Sequence, residues 1–290
     1  MGPHTEPISE CRVFYAEHMM KELAIQQIDG SRPLQTIAFL HGILGSGKNL
    51  RTVATRFVES RPAWSAWLVV LRGHGQSPKG TPGPSLEAAA RDVIVLAARA
   101  GAPLSASAGH SFGGKVALEI ARIGEIGSLR DVITIDSVPS AREPVAEGDS
   151  PLAILNILES LPPEFESISG FVTSLEAAGL ARDLAQWLGS SVRREGDRVR
   201  FGLDVAEIRA LVLDYYARDL WPVVENPPQG LRVHLIVGDQ SSSYSREDRR
   251  RAEGITAKND KVTMDVLPAG HWVHVDDPEG LLRTLLRYLA

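Results

Sequence analysis

Short apolar runs alternate with segments of helical periodicity along most of the chain. A continuous apolar run is typical of a strand buried on both faces, and apolar positions three and four apart indicate a helix. Predicted strands cover residues 23–27, 36–40, 67–71, 104–108, 132–136, 233–237 and 262–267. Predicted helices cover 50–59, 85–100, 115–123 and 246–257, and a last helix starts at Pro278 behind the capping residue Asp277. The alternation predicts a mostly parallel, doubly wound sheet with helices on both faces.

The alternation stops between residues 141 and 228, where the sequence shows helical patterns only. The helices predicted there are 152–161, 168–177, 180–188 and 205–220, with proline pairs at 162–163 and 227–228 as breaks. We therefore expect an α/β core made of residues 1–140 and 229–290. A helical cap, or lid, is expected as an insertion at 141–228.

Charge and composition narrow the function classes. The formal net charge of −5 provides no basic field for nucleic acid or an anionic membrane, so we expect neither partner. Cys11 is the only cysteine, which excludes an intramolecular disulfide. Residues Met1 to Glu10 are polar, unlike a signal peptide, and no apolar run has transmembrane length. The expected location is the cytoplasm, and the sequence leaves the oligomeric state open.

A serine lies at the centre of the segment Gly109-His110-Ser111-Phe112-Gly113-Gly114, between a predicted strand and a predicted helix. A chain that turns this sharply from strand to helix needs small residues two before and two after the serine. The turn would lift the Ser111 hydroxyl out of the sheet edge, and the Phe112 N–H would point into the same space. We interpret Ser111 as a nucleophile and the Phe112 N–H as an oxyanion donor.

Other reactive side chains also follow predicted strands, namely His41, Arg72, His74, Asp136, Asp239 and His271. Because the carboxyl ends of parallel strands meet at one edge of a sheet, this placement favours a single active site. His271 is the candidate base, since a serine hydroxyl needs a neighbouring base to attack at neutral pH. His271 and His274 stand three residues apart, as metal ligands can, but no further cluster accompanies them. We expect no metal and no cofactor.

Four segments together resemble the signatures of the α/β-hydrolase superfamily, in its order. They are His41 to Gly45, Arg72 to Ser77, Gly109 to Gly114 and Gly270 to His274. Over roughly residues 34–289 the chain is most similar to small bacterial carboxylesterases and mitochondrial abhydrolase-domain proteins. The resemblance implies the α/β-hydrolase fold, with Ser111 as nucleophile, His271 as general base, and the N–H groups of Phe112 and Ile43 as the oxyanion hole.

The acid of the triad has more than one candidate. The commonest superfamily pattern places it three residues beyond a glycine after the penultimate strand, and counting from Gly238 leads to Ser241, which carries no charge. Asp239 stands two residues too early, and Asp136 ends the strand that follows the nucleophile helix. In the esterases that the chain resembles, the acid comes from that earlier strand, so we favour Asp136 over Asp239. Asp204, in the cap, is a distant third.

An apolar pocket is expected beside Ser111. The candidate substrate-binding residues are Leu44, His110, Val138, Leu184, Trp187, Trp221 and Trp272. Such walls suit carboxylic esters of small to medium acyl chains, cleaved through an acyl-enzyme intermediate. Thioesters, lactones and carbon–carbon bonds remain alternative substrates on the same scaffold.

A different function is suggested by Gly42-Ile43-Leu44-Gly45-Ser46-Gly47-Lys48, which fits the phosphate-binding pattern G-x-x-x-x-G-K between a strand and a helix. Position 49 is Asn, where a Ser or Thr hydroxyl would bind magnesium. This remote alternative, a nucleotide-binding protein, also leaves the serine turn and His271 without a role.

Overall fold

A seven-stranded sheet forms the centre of the protein in the computed structural model, which describes residues 23–100 and 103–290. Cys11 and the segment Met1 to Glu10 lie outside these residues. The strands of the sheet are β1 (Ile25–Asp29), β2 (Gln35–Leu40), β3 (Trp64–Val69), β4 (Leu104–His110), β5 (Asp131–Ile135), β8 (Arg232–Gly238) and β9 (Val262–Leu267). Their spatial order is β1-β3-β2-β4-β5-β8-β9.

All neighbouring strands of the sheet run parallel except β1, which pairs antiparallel with β3. The carboxyl ends of β2, β4, β5 and β8 therefore reach the same edge. Strand β4 continues through Gly109 to His110, which pairs with Ile135, so the serine follows the sheet directly. Strand β3 starts at Trp64 and ends at Val69, which corrects the predicted bounds of 67–71. Leu71 lies beyond the end of β3, and its N–H donates to the His41 ring instead of to a neighbouring strand.

Helices cover both faces of the sheet, as the sequence predicts. The helices of the core are α1 (Arg51–Ser60), α2 (Leu86–Ala100), α3 (Phe112–Ile123), α9 (Arg246–Thr256), α10 (Val273–Asp276) and α11 (Pro278–Tyr288). Successive side chains of β2 point to opposite faces of the sheet, where two separate cores lie. Ile37 and Phe39 pack with α1 and α11 on one face. Ala38 and Leu40 belong to the cluster that includes α2 and α3 on the other. The Asp277 carboxylate caps α11 by accepting from the Gly280 N–H at 2.8 Å, as expected.

Between β5 and β8, residues 141–228 contain five helices, α4 (Pro151–Ser160), α5 (Ile168–Ala177), α6 (Arg182–Gly189), α7 (Val205–Ala217) and α8 (Trp221–Glu225). The prediction of helices only was wrong, because β6 (Val192–Glu195) and β7 (Arg198–Phe201) form an antiparallel hairpin. Gly196 has φ 60° and stands first in the two-residue turn, where a side chain would be strained. The Gly-Asp pair between two short alternating runs is the sequence signal for that turn.

Helix α7 is also shorter than predicted. The sequence predicts one helix over residues 205–220, but α7 ends at Ala217 and a separate helix, α8, starts at Trp221. Pro222 stands at the second position of α8, where its missing N–H costs no helical hydrogen bond. Segment 141–228 touches the core loop 72–79 through the Lys79–Asp204 ion pair and through the Arg193 guanidinium, which donates to the Gly75 carbonyl. Among the described residues, none of the helices is both long and apolar enough for a membrane span.

Candidate active site

Ser111 occupies a strained turn between β4 and α3, with φ 51° and ψ −116°. Its neighbours leave no room for side chains. A Cβ at Gly109 would lie 2.0 Å from the Gly113 carbonyl oxygen, and one at Gly113 would lie 2.3 Å from the Leu40 carbonyl oxygen. Glycine is therefore required at both positions because backbone atoms, which cannot move aside, fill the space. The N-terminus of α3 directly behind Ser111 favours negative charge there.

His271 lies in the loop after β9 and is hydrogen-bonded to an aspartate. Its Nδ1 donates to Asp136 Oδ2 at 2.7 Å, and the Asp136 side chain is fully buried while the imidazole stays 37% exposed. Because Nδ1 carries the proton toward Asp136, the neutral ring has its lone pair on Nε2, the nitrogen that can accept a proton from a hydroxyl. The arrangement is that of a general base with a carboxylate that fixes its tautomer.

Two further donors hold the Asp136 carboxylate. The Gly238 N–H donates to Oδ1 at 3.1 Å, and the Ser241 hydroxyl donates to Oδ2 at 2.5 Å. Ser243 Oγ lies 3.0 Å from His271 Nδ1. Ser241 is the residue at which the commonest pattern would place the acid, so the acid candidate Asp136 and the usual acid position are in direct contact.

The other two acid candidates are engaged elsewhere. Asp239 Oδ1 accepts from the Ala269 N–H at 3.1 Å and thereby ties the loop after β8 to the loop that carries His271. Asp204 caps α7 by accepting from the N–H groups of Ala206 and Glu207, and it pairs with Lys79. Of the three, the structure brings only Asp136 to His271.

The loop after β2 lies against the serine. A Cβ on Gly42 would be 3.4 Å from the Ser111 Cβ, so the loop that carries Ile43 runs directly beside the serine. The next amide, that of Leu44, donates to His74 Nε2 at 3.1 Å. The His74 Nδ1 in turn donates to the Arg72 carbonyl, which fixes the ring. His74 thus holds the loop that would supply the second oxyanion donor.

A second buried histidine braces the same region. His41 accepts from the Leu71 N–H at Nε2 and donates to the Gly42 carbonyl from Nδ1, and its ring centroid lies 4.9 Å from that of His74. Burial lowers the pKa of His41 to about 3 and that of His74 to about 4. Both rings are therefore neutral at physiological pH and able to accept hydrogen bonds.

Backbone strain concentrates at this edge of the sheet. Within residues 23–100 and 103–290, the non-glycine residues with positive φ are Leu44 at 61°, Ser111 at 51° and Asp136 at 44°. Such conformations persist only where the surrounding structure enforces them, and they cluster at functional sites. The strained positions coincide with the oxyanion loop, the nucleophile candidate and the acid candidate.

The chain matches the profile of the alpha/beta hydrolase family over residues 37–284. It belongs to the alpha/beta hydrolase family. Its sequence is 26% identical to the mouse sn-1-specific diacylglycerol lipase ABHD11, over 92% of this chain and 85% of that protein. It is also 26% identical to the esterase YbfF of Escherichia coli, over 87% of this chain and 92% of that one.

Solved structures agree with the alpha/beta hydrolase fold. A marine microorganism esterase superimposes with a TM-score of 0.76 at 20% identity, covering 92% of this chain and 99% of the other. The predicted fold class is therefore confirmed. The segment from Gly42 to Lys48 lies within the matched residues and forms the loop beside Ser111, so it belongs to the hydrolase core.

Aromatic rings of this hydrolase gather around His271. The His110 ring donates from Nε2 to the His271 carbonyl at 2.8 Å, and Trp272 lies 5.5 Å from His110 between ring centroids. Trp187, from α6, lies 5.1 Å from Trp272. Leu184 stands one turn earlier on α6 and is partly buried. Three of the predicted substrate-binding residues, His110, Trp187 and Trp272, thus share one side of the site, and Leu184 lies on the same helix as Trp187.

The other three predicted substrate-binding residues have different surroundings. Leu44 is buried in the main core cluster, and Val138 packs with Val237 and Tyr244. Trp221 is fully buried, its indole N–H donates to Ser140 Oγ at 2.7 Å, and the Arg251 guanidinium covers its ring. These contacts correct the expectation that Trp221 lines the pocket, because both its polar atom and its ring face are already occupied.

His274 is packed behind the base with both ring nitrogens buried and, among the described residues, without a hydrogen-bond partner. Its ring lies 4.8 Å from that of His110. Burial lowers the pKa of His274 to about 4, and burial also holds the pKa of His110 well below its usual value. Both rings are neutral near pH 7, so neither adds a fixed positive charge beside His271.

Sequence reasoning missed two kinds of residue at this site. Ser241 is set aside on sequence grounds because it carries no charge, and Ser243 is not considered, although the count from Gly238 to Ser241 was a signal that this position faces the base. Lys115, on α3, is fully buried and donates to backbone carbonyls only. Every residue type has a backbone carbonyl, so the types of the partner residues do not reveal that they bind Lys115. Its buried position therefore had no sequence signal.

Proposed function

We propose that this protein is a serine esterase, which hydrolyses carboxylic esters of small to medium acyl chains through an acyl-enzyme on Ser111. The observation that carries the proposal is the 2.7 Å hydrogen bond from His271 Nδ1 to buried Asp136, beside a serine in a strained strand-to-helix turn. Family membership and esterase-named relatives support hydrolysis in general. The substrate and the roles of individual residues belong to the proposal.

The proposed chemistry has two half-reactions. His271 Nε2 takes the Ser111 proton while Oγ attacks the ester carbonyl carbon, and the resulting oxyanion accepts from the N–H groups of Phe112 and Ile43. Collapse of this intermediate breaks the carbon–alkoxy bond, and the leaving alcohol takes the proton from His271. A water, deprotonated by the same nitrogen, then releases the carboxylic acid and restores Ser111.

The acyl group would lie among Trp187, Trp272 and Leu184, with His110 at the back. Trp187 and Leu184 come from segment 141–228, so this segment acts in our proposal as a lid that covers the acyl chain. Apolar and aromatic walls favour uncharged acyl groups and exclude water from the reacting carbonyl. A strong preference for a charged acyl group would contradict this placement of the pocket.

The test is a panel of p-nitrophenyl esters of increasing acyl length, assayed beside acyl thioesters and lactones. We expect ester turnover with a maximum at short to medium chains. The Ser111→Ala variant should lose roughly a millionfold in kcat, the scale for loss of a triad nucleophile. Ser60→Ala, an exposed serine on α1, is the control and should keep full activity.

Two outcomes would change the proposal. Full ester turnover by Ser111→Ala would remove Ser111 from the mechanism. Turnover of thioesters or lactones with a kcat/KM well above that of every ester would move the activity to one of these alternatives, which use the same nucleophile.

A cytoplasmic location, a small-molecule ester as the partner, and independence from nucleic acid and membranes also stay predictions. Cell fractionation and a vesicle co-sedimentation assay test them. Recovery of the protein mainly with membranes would contradict both the location and the partner prediction.

A further inference from the structure

Lys115 is a fully buried lysine on α3, one helical turn after Ser111. Its Nζ donates to three backbone carbonyls, those of Ser140 at 2.8 Å, Tyr215 at 2.8 Å and Arg218 at 2.7 Å. The Nζ also lies 4.4 Å from the centre of the Tyr215 ring. An ammonium group has three N–H donors, and here each of them has an acceptor.

The three carbonyls belong to two stretches of the chain, one at the start of segment 141–228 and one near its end, before α8. We call these stretches, residues 139–142 and 215–221, the neck. Tyr215 lies in the last turn of α7, and Arg218 directly follows the helix. Carbonyls at a helix C-terminus have no partner within the helix, so an ammonium is a well-suited donor.

Other hydrogen bonds join the two stretches of the neck to each other. The Leu220 N–H donates to the Pro139 carbonyl at 2.9 Å, and the Arg142 N–H donates to the Tyr216 carbonyl at 2.8 Å. Lys115 ties both stretches to the nucleophile helix, since it binds Ser140 on one side and Tyr215 and Arg218 on the other. The Arg218 guanidinium adds a longer contact to the same helix, 3.9 Å from the Glu119 carboxylate.

The electrostatic surroundings of Lys115 are mixed. The pKa of its amine is lowered to about 7, chiefly by burial and also by Arg142, while the carboxylates of Asp219, Asp214 and Asp248 act to raise it. The carbonyl contacts also favour the protonated form, because only the ammonium can donate three hydrogen bonds. The three carbonyl contacts therefore match the three donors of the protonated amine.

We propose that Lys115 is a positioning residue that clasps the neck onto α3 and so sets the position of the lid over Ser111. The geometry links the two directly, because Ser111, Phe112 and Lys115 are carried by one short stretch of α3 and the preceding turn. The Tyr215 ring also packs against Phe112, with centroids 6.2 Å apart. The effect on substrate binding rests on the proposed esterase function, whereas the effect on the neck does not.

Hydrogen exchange of the wild type and of Lys115→Met tests the clasp, since methionine keeps most of the length but has no donor. We expect the neck amides, Arg142 and Leu220 among them, to exchange at least about tenfold faster, while β4 and β5 keep their protection. Lys79→Met is the matched control, because Lys79 also joins the core to segment 141–228 but does so by an exposed ion pair with Asp204. It should leave the neck amides unchanged.

The clasp is refuted if the neck amides of Lys115→Met exchange as in the wild type. It is also refuted if protection falls uniformly across sheet and neck, because Lys115 would then support the fold as a whole. In steady-state assays with a p-nitrophenyl ester, we expect KM to rise about tenfold and kcat to stay within about threefold. If the wild type has no ester turnover, the esterase proposal fails and the exchange result still decides the clasp.

A measurement on the wild type covers the case in which Lys115→Met does not fold. An amine-reactive reagent should label Lys115 only when the neck opens, so its labelling and the exchange of the Arg142 and Leu220 amides should report one opening free energy, below that of global unfolding. Labelling of Lys115 only upon global unfolding would overturn the proposal.

Discussion

Asp136 and Asp239 follow neighbouring strands at the same edge of the sheet, and their hydrogen bonds separate their roles. Asp136 accepts from His271, Ser241 and the Gly238 N–H. Asp239 accepts from the Ala269 backbone and so supports the His271 loop from behind. A carboxylate must touch the imidazole to fix its tautomer, which favours Asp136 as the acid.

The first prediction compares Asp136→Asn with Asp239→Asn. We expect Asp136→Asn to lower kcat on the order of ten-thousandfold without loss of folding, because the base loses its tautomer lock. Asp239→Asn should cost about tenfold or less, since it weakens only one contact in the His271 loop. Steady-state kinetics with one ester decide the matter, and the reverse order of damage would transfer the role to Asp239.

The second prediction concerns Ser241, whose hydroxyl donates to Asp136. Loss of a hydrogen bond to a charged group should cost about ten- to a hundredfold in kcat/KM for Ser241→Ala. The double variant Asp136→Asn with Ser241→Asp places an acid at the commoner position and should recover part of the activity lost by Asp136→Asn alone. Full activity of Ser241→Ala would show that the contact does not support the acid.

At the scale of elements, the strand-to-helix turn depends on Gly109. A methyl group there would lie 2.0 Å from the Gly113 carbonyl, so β4 or α3 would have to shift. The third prediction is a loss of at least about 3 kcal/mol in the free energy of unfolding for Gly109→Ala, measured by urea denaturation. Gly254→Ala on α9 is the control, because a Cβ there meets nothing within 4 Å and should be neutral or stabilising. Equal stability of the two variants would contradict the steric account.

Most elements of the core could be predicted from the sequence because their patterns are strong. The strands β2, β5 and β8 are short, mostly apolar runs that are buried almost throughout, and α2 carries an apolar stripe behind the capping residue Ser85. The hairpin β6–β7 was missed because its strands are short and rich in charge, with Arg193, Arg194 and Glu195 exposed. A strand that buries little apolar surface leaves only its turn as a signal.

Part of the site was also predictable, because its residues follow strands that the sequence predicts. Ser111, Asp136 and His271 follow predicted strands, so the rule that parallel strands end at one edge brings them together. Which acid reaches the base depends on loop geometry after β5 and β8, and aspartate adopts a positive φ too rarely for its residue type to predict the one at Asp136. The places of Trp221 and Lys115 depend on packing and on backbone carbonyls, which sequence spacing does not report.

At the scale of the whole molecule, four buried histidines make stability depend on pH. The pKa is lowered to about 3 for His41 and to about 4 for His74 and His274, and it lies well below the usual value for His110, with burial as the largest cause each time. The unfolded chain takes up these protons below about pH 6.5, whereas the folded protein does not. Stability is therefore full above that pH and falls as the pH drops toward 4.

The fourth prediction is the slope of that loss. Each histidine that protonates only on unfolding contributes up to about 1.4 kcal/mol per pH unit between roughly pH 6.5 and its folded pKa. Urea denaturation at pH 7.5, 6, 5 and 4.5 measures the slope. The variant His274→Leu should lower it by about one proton, because it removes a buried ring whose nitrogens have no partner among the described residues. A free energy of unfolding that is independent of pH over this range would contradict the account.

Covalent labelling by a fluorophosphonate tests the central claim, that Ser111 is a nucleophile activated by His271 and Asp136. The reagent reacts with an activated serine and leaves a stable adduct that peptide mass spectrometry can locate. We predict a single adduct on Ser111 in the wild type, no adduct in Ser111→Ala, and much slower labelling in Asp136→Asn. An adduct on any other residue, or equal labelling of wild type and Ser111→Ala, would contradict the claim.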